Sequence, residues 1–159
     1  DEGEIWAVDR SKTRLKKLQK NLKRLNIHCV KIINCDAIKL FNIRPDFINY
    51  FDKVLLDAPC SGIGTFSRNP DARWSITNKK IDELVSLQEK LLSISKKYLR
   101  EGGTLVYSTC TICPRENTLL IKRFIEKNPN MQLIEEKQIL PSNNYQGDGF
   151  YSAIIIYKK

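Results

Sequence analysis

The chain has 159 residues, 42% apolar and 28% charged, and its 27 Lys and Arg against 18 Asp and Glu give a net charge of +9. That length suits one domain with a real core. No apolar run is long enough to cross a bilayer as a helix, the longest late one being Ala153-Ile154-Ile155-Ile156-Tyr157. The positive balance permits a polyanionic partner such as RNA, or simply a lysine-rich solvated surface, since the cations are spread along the chain.

Asp1-Glu2-Gly3-Glu4 is acidic where a secretory signal would be basic, so the chain reads as intracellular. Residues 4–9 read as a strand ending in Asp9. Ser11 is placed to cap a following helix, on which Leu15, Leu18, Leu22 and Leu25 share one face. Residues 29–34 predict a second strand, ending at Cys35-Asp36, and residues 51–56 a third, ending at Asp57. Leu84, Leu87, Leu91 and Ile94 recur at helical spacing and predict a helix over 81–99, stopped by Glu101-Gly102-Gly103. Residues 104–107 predict a strand that delivers Ser108-Thr109-Cys110. Pro114 suits the first turn of a helix running to about 127. Residues 131–135 and 152–157 predict two final strands. The alternation argues an α/β fold with a parallel or mostly parallel sheet and helices on both faces. Ligands bind outside the carboxyl ends of such strands, so Asp9, Asp36, Asp57 and Cys110 are expected along one edge of one sheet.

Each of these ends can carry chemistry or merely shape a turn. Asp9 can accept hydrogen bonds from ribose hydroxyls or help cap its helix. Asp36 can contact an adenine or form a turn. Asp57-Ala58-Pro59-Cys60-Ser61-Gly62 brings a carboxylate and a thiol into a small-residue turn where backbone can approach a ligand; the plainer reading is a buried acid and an inert thiol. Cys110, between a strand and a helix start, is placed for a lowered thiol pKa by the helix dipole. Cys110 and Cys113 also form Cys-x-x-Cys, which suggests a thiol oxidoreductase. Five cysteines with no small-domain spacing, and one His at position 28, argue against a disulfide scaffold and a zinc site. Arg68-Asn69-Pro70-Asp71-Ala72-Arg73-Trp74 is a polar loop suited to phosphates and a stacked base, or one whose Trp74 folds back on the core, the reading taken here.

Together these segments resemble the NOP/Sun family of RNA cytosine-5 methyltransferases. Phe51-Asp52-Lys53-Val54-Leu55-Leu56-Asp57-Ala58-Pro59-Cys60-Ser61-Gly62 is similar to that family's signature at all twelve positions. Arg68-Asn69-Pro70-Asp71 with Trp74 resembles its next segment. Tyr107-Ser108-Thr109-Cys110 with Glu116-Asn117 resembles its Thr-Cys motif, and Asp148-Gly149-Phe150 with Ala153 its closing strand. Asp9-Arg10-Ser11 with Arg14-Leu15, Asn21 and Arg24-Leu25 resembles the helix after its second strand.

The resemblance implies a Rossmann-like S-adenosylmethionine-dependent methyltransferase acting on RNA, ribosomal first and transfer RNA next, in the nucleus, nucleolus or cytoplasm. Cys110 matches the nucleophile and Cys60 the cysteine that assists product release. Asp57 would lie beside cofactor and target base, Asp9 would hold the cofactor ribose and Asp36 the adenine. The family's first strand and Gly-rich loop have no counterpart here, so residues 1–159 are expected to be an N-terminally incomplete catalytic domain whose open sheet edge favours self-association. Cys113 and Thr118 replace residues more usual after the Thr-Cys motif. Alternatives are a non-catalytic RNA-binding remnant, the thiol oxidoreductase, or a DNA enzyme attacking through Cys60.

Overall fold

The computed structural model describes residues 2–142 and 147–158. The chain divides into two compact units, Asp1–Asp46 and Phe47–Lys159. The four strand ends therefore fall in two sheets, two in each, rather than along one sheet edge as the sequence suggested.

In the first unit, β1 (Ile5–Asp9) pairs in parallel with β2 (Val30–Asn34), and Asp9 stands opposite Asn34. A parallel pair needs a crossover, and α1 (Lys12–Arg24) supplies it. Ser11 caps α1 by accepting from the Arg14 N–H at 3.3 Å, and Lys23 and Arg24 sit at its carboxyl end, where the dipole favours cations. Leu15 is buried and Leu18 and Leu22 are half-buried, but Leu25 is 54% exposed. The apolar stripe stops there because Asn26 takes a left-handed φ of 53° and ends the helix. After β2, a 3-10 turn (Ala37–Lys39) leads into the short α2 (Leu40–Ile43).

In the second unit, a sheet of order β3-β4-β6-β5 is built from β3 (Phe51–Asp57), β4 (Leu99–Thr109), β5 (Met131–Ile139) and β6 (Phe150–Tyr157). Only β3 and β4 are parallel; β6 runs antiparallel to both of its neighbours. The crossover α3 (Asn78–Tyr98) is capped by Thr77 and enters the core through Leu92, while α4 (Thr118–Lys127) adds Leu120, Ile121 and Phe124. These residues meet Leu105 and Tyr107 of β4 and Ala153 and Ile155 of β6, so both helices cover one face of the sheet. Burying such side chains stabilises by about 1.5–3 kcal/mol each relative to leaving them in water.

Two boundaries differ from the pattern reading. Glu101-Gly102-Gly103 does not stop α3, which ends at Tyr98. Phe51 pairs with Leu99 but Lys53 with Thr104, so residues 100–103 bulge out of β4, with Gly102 at a left-handed φ of 75°. The helix expected from Pro114 begins only at Thr118, because residues 114–117 fold as turns. Within this unit β3 is an edge strand, and its Leu55 is 71% exposed.

Candidate active site

Parallel pairing brings the ends of β3 and β4 side by side. Asp57 lies opposite Ser108, whose Oγ donates to Asp57 Oδ1 at 3.1 Å, and the Ala58 N–H bonds the Ser108 carbonyl at 2.9 Å. Both strands then turn, and the turns carry Cys60 and Cys110 together: their sulfurs are 3.4 Å apart. Gly62, at a φ of 68°, allows the first turn. Gly64 allows the turns to touch. Its N–H bonds the Cys110 carbonyl at 3.1 Å and its carbonyl accepts from the Gly149 N–H at 2.7 Å. A Cβ on Gly64 would come within 2.2 Å of the Gly149 carbonyl oxygen and 2.8 Å of that of Cys110. The Asp148-Gly149 segment thus packs on the Gly64 turn by backbone and against the Ile112 side chain, and Arg68 pairs with Asp148 at 2.7 Å.

The two thiols do not titrate alike. The S–H of Cys60 donating to its sulfur lowers the Cys110 pKa to about 7; its own backbone N–H and Arg68 act the same way, against partial burial and the charge of Asp57. Cys60 moves the other way, pushed well above an ordinary thiol first by the Cys110 sulfur and then by burial. Cys110 is therefore the sulfur that ionises first, with the shared proton kept on Cys60. The cause differs from the helix dipole expected from the sequence, since α4 starts too far along the chain. All five cysteines are free, and the sulfur partner of Cys110 is Cys60 rather than Cys113 of the Cys-x-x-Cys pattern.

At the ends of β1 and β2 the acids make local bonds. Asp9 Oδ1 accepts from the Ser11 N–H at 2.7 Å, and Oδ2 pairs with Arg14 at 3.1 Å. Asp36 Oδ1 caps the following 3-10 turn through the Ile38 N–H at 2.9 Å. Both readings of these acids, turn former and ligand holder, stay compatible with this, because a carboxylate offers about four acceptor sites.

A family model described as 16S rRNA methyltransferase RsmB/F matches residues 1–156. The chain belongs to this family. RsmB/F relatives include ribosomal RNA small subunit methyltransferase B of Vibrio cholerae, 38% identical over 160 residues, covering 97% of this chain and 36% of that protein. The Escherichia coli protein of the same name is 37% identical over 164 residues, covering 99% and 37%. The chain thus spans little more than a third of the curated relatives it matches. Among solved structures, NSun6 from Pyrococcus horikoshii with SFG superposes with a TM-score of 0.85 at 36% identity, over 99% of this chain and 42% of that one. A methyltransferase homologue from the same organism gives 0.79 at 28%, over 96% and 53%. The fold is accordingly the Rossmann-like one of S-adenosylmethionine-dependent methyltransferases.

Several RsmB/F motif residues prove to be structural. Glu116 and Asn117 are fully buried. The Asn117 side chain accepts from Thr109 Oγ1 at 2.7 Å and donates to the Thr111 carbonyl and to Gln138 Oε1, each at 2.9 Å, so it serves the Cys110 turn instead of capping α4. Gln88, missed in the sequence, is fully buried beside Glu116. Its signal was a polar residue four positions after Leu84 and three before Leu91, on the apolar stripe of α3. Trp74 departs from the expectation that it packs on the core: it is 86% exposed, on a 3-10 turn (Pro70–Trp74) whose Arg73 lies over the Phe66 ring. Among the described residues no group of three or more His, Cys, Asp or Glu could hold a metal ion, and no helix is long and apolar enough to cross a membrane.

Proposed function

We propose that the protein carrying this chain transfers a methyl group from S-adenosylmethionine to C5 of a cytosine in RNA, with ribosomal RNA the first candidate and transfer RNA the next. The observation that carries this is the pair of sulfurs 3.4 Å apart at adjacent strand ends, where the Cys60 S–H lowers the Cys110 pKa to about 7. Residues 1–159 are read as part of the catalytic domain.

The cofactor reading is compatible with the donor set. Asp9 and Asp36 stand at the same end of one parallel pair, and each keeps acceptor sites beyond its local bonds. Asp9 would hold the ribose hydroxyls and Asp36 the adenine, with Asp57 nearer the reacting groups. When bound, S-adenosylmethionine supplies an electrophilic methyl on a sulfonium.

This chain's own residues would do the rest. C5 of cytosine is a poor nucleophile. The Cys110 thiolate adds to C6, and C5 becomes enamine-like and able to take the methyl. Asp57, exposed and carrying one bond from Ser108, accepts a hydrogen bond from the base while charge develops. Loss of the C5 proton to a base, with cleavage of the C6–S bond, restores the ring. The S–H of Cys60, on the Cys110 sulfur, stabilises the departing thiolate, and a thiol of lower pKa leaves faster. The target base has to be unstacked to reach these groups.

The RNA reading draws on charge as well. α1 carries seven Lys and Arg and no acid, all solvent-exposed, which gathers part of the +9 into one patch. The bacterial relatives favour cytoplasm over a nucleolus. The pairing of the Cys110 sulfur with Cys60 disfavours an oxidoreductase built on Cys110 and Cys113. The test is incubation of the protein as it occurs in the cell with labelled S-adenosylmethionine and bulk rRNA or tRNA, followed by digestion to nucleosides. 5-Methylcytidine in RNA supports the reading; no transfer to any RNA overturns it and leaves an RNA-binding remnant in its place.

A further inference from the structure

We propose that Glu116 is the positioning residue for the thiol pair: its buried carboxylate ties the turn that carries Cys60 to the turn that carries Cys110 and so sets the sulfur–sulfur contact. The catalytic consequence rests on the methyltransferase reading above; the contact itself does not.

Glu116 is fully buried, as is Gln88. Glu116 Oε2 accepts from the Ser61 N–H at 2.9 Å and from Gln88 Nε2 at 3.0 Å. Glu116 Oε1 accepts from Ser61 Oγ at 2.5 Å and lies 3.4 Å from Thr111 Oγ1. The Ser61 and Thr111 hydroxyls lie 2.8 Å apart. Ser61 directly follows Cys60 and Thr111 directly follows Cys110, so the carboxylate holds the residue after each thiol, Ser61 directly and Thr111 through the Ser61 hydroxyl. Gln88 adds a third element, because its amide also donates to the Pro59 carbonyl at 2.9 Å.

These donors are all neutral. Burying a carboxylate without a cation is costly and persists only where its lone pairs are satisfied. The site accepts a further cost: Gln88 Oε1 is buried with no hydrogen-bond partner. Gln88 cannot turn its amide over, since both of its neighbours are acceptors. The hydroxyl protons also fall into one order. The Cys113 N–H donates to Thr111 Oγ1 at 3.2 Å, Thr111 donates to Ser61, and Ser61 donates to Glu116. A chain of donors running one way needs an acceptor at its end, and the carboxyl oxygens of Glu116 supply it. A core whose purpose was stability alone would be better served by an apolar residue here.

Cys110 is faced by Cys60 and Asp57 from the β3 end, by Arg68, itself paired with Asp148, and by its own turn. Loosening the Glu116 clasp would weaken the Cys60 contact and leave the others. The test is the rate of Cys110 alkylation by iodoacetamide against pH, read on the Cys110 peptide by mass spectrometry, in the protein as it occurs in the cell. Wild type should be half-maximal near pH 7. Glu116→Gln keeps the size but puts an amide N–H₂ where only an acceptor fits. Its midpoint should rise toward an ordinary thiol, about 8.5, with the rate at pH 7 falling about three- to fifteen-fold. Cys60→Ala should raise the midpoint similarly, and Glu116→Gln in that background should add nothing further. If Glu116→Gln does not fold, Ser61→Ala should give a smaller shift of the same sign. A lowered melting temperature with an unmoved midpoint, or an additive double variant, overturns the proposal. If the midpoint moves but wild type methylates no RNA, Glu116 stands and the methyltransferase reading falls. Methylation by wild type with an unmoved midpoint gives the reverse.

Discussion

The ends of β1 and β2 and the ends of β3 and β4 are built on opposite plans. Asp9 and Asp36 find their partners two to five residues away, at Ser11, Arg14 and Ile38. Cys60 and Cys110 meet across 50 residues, held by Ser61, Thr111, Gln88 and Glu116 from three stretches of chain. A locally made site tolerates change in the rest of its unit. A site made at long range depends on every turn that brings it together, and here groups distant in sequence drive the Cys110 and Cys60 pKa values apart.

Substitutions in the two regions should differ in size and in kind. The largest effect should come from Cys110→Ala, which removes the thiolate and should lower methyl transfer by about 10⁴-fold or more with the melting temperature little changed. Next is Gly64→Ala. No side chain fits between the Cys110 and Gly149 backbones, so the unit should lose about 3 kcal/mol or more in denaturant unfolding, and with it the sulfur contact. If Gly64→Ala is benign, the long-range plan is wrong. Asp9→Asn should act only on ligand: S-adenosylmethionine should bind about ten- to a hundred-fold more weakly by calorimetry, with stability changed by less than about 1 kcal/mol. The exposed Trp74 should matter for RNA alone, so that Trp74→Ala weakens RNA binding by about 1–3 kcal/mol at an unchanged melting temperature. Smallest of all, Cys113→Ser should leave methyl transfer within about two-fold, whereas an oxidoreductase would lose its activity.

The same contrast explains what could be read in advance. Ser11, the leucine stripe of α1 as far as Leu22, the strands ending in Asp9 and Asp57 and the one ending at Asn34 just before Asp36 are local signals, and each falls where the periodicity puts it. Local chemistry misled where a residue's partner is distant. Pro114 reads as a helix start, yet Asn117 is drawn to Thr109, Thr111 and Gln138, and α4 begins after it. Gly102-Gly103 reads as a helix stop, yet register with β3 makes it a bulge. The antiparallel course of β6 leaves no mark on its own alternation. The thiol pair was legible only through family resemblance, since nothing in either turn names the other.

In the proposed mechanism Cys110 is the nucleophile and Cys60 the group that releases it. The most direct measurement incubates wild type, Cys60→Ala and Cys110→Ala with rRNA and S-adenosylmethionine, then separates protein under denaturing conditions and asks which still carries RNA. A denaturation-resistant adduct should accumulate in Cys60→Ala, remain scarce in wild type and be absent in Cys110→Ala. An adduct or methyl transfer that survives in Cys110→Ala would contradict the account.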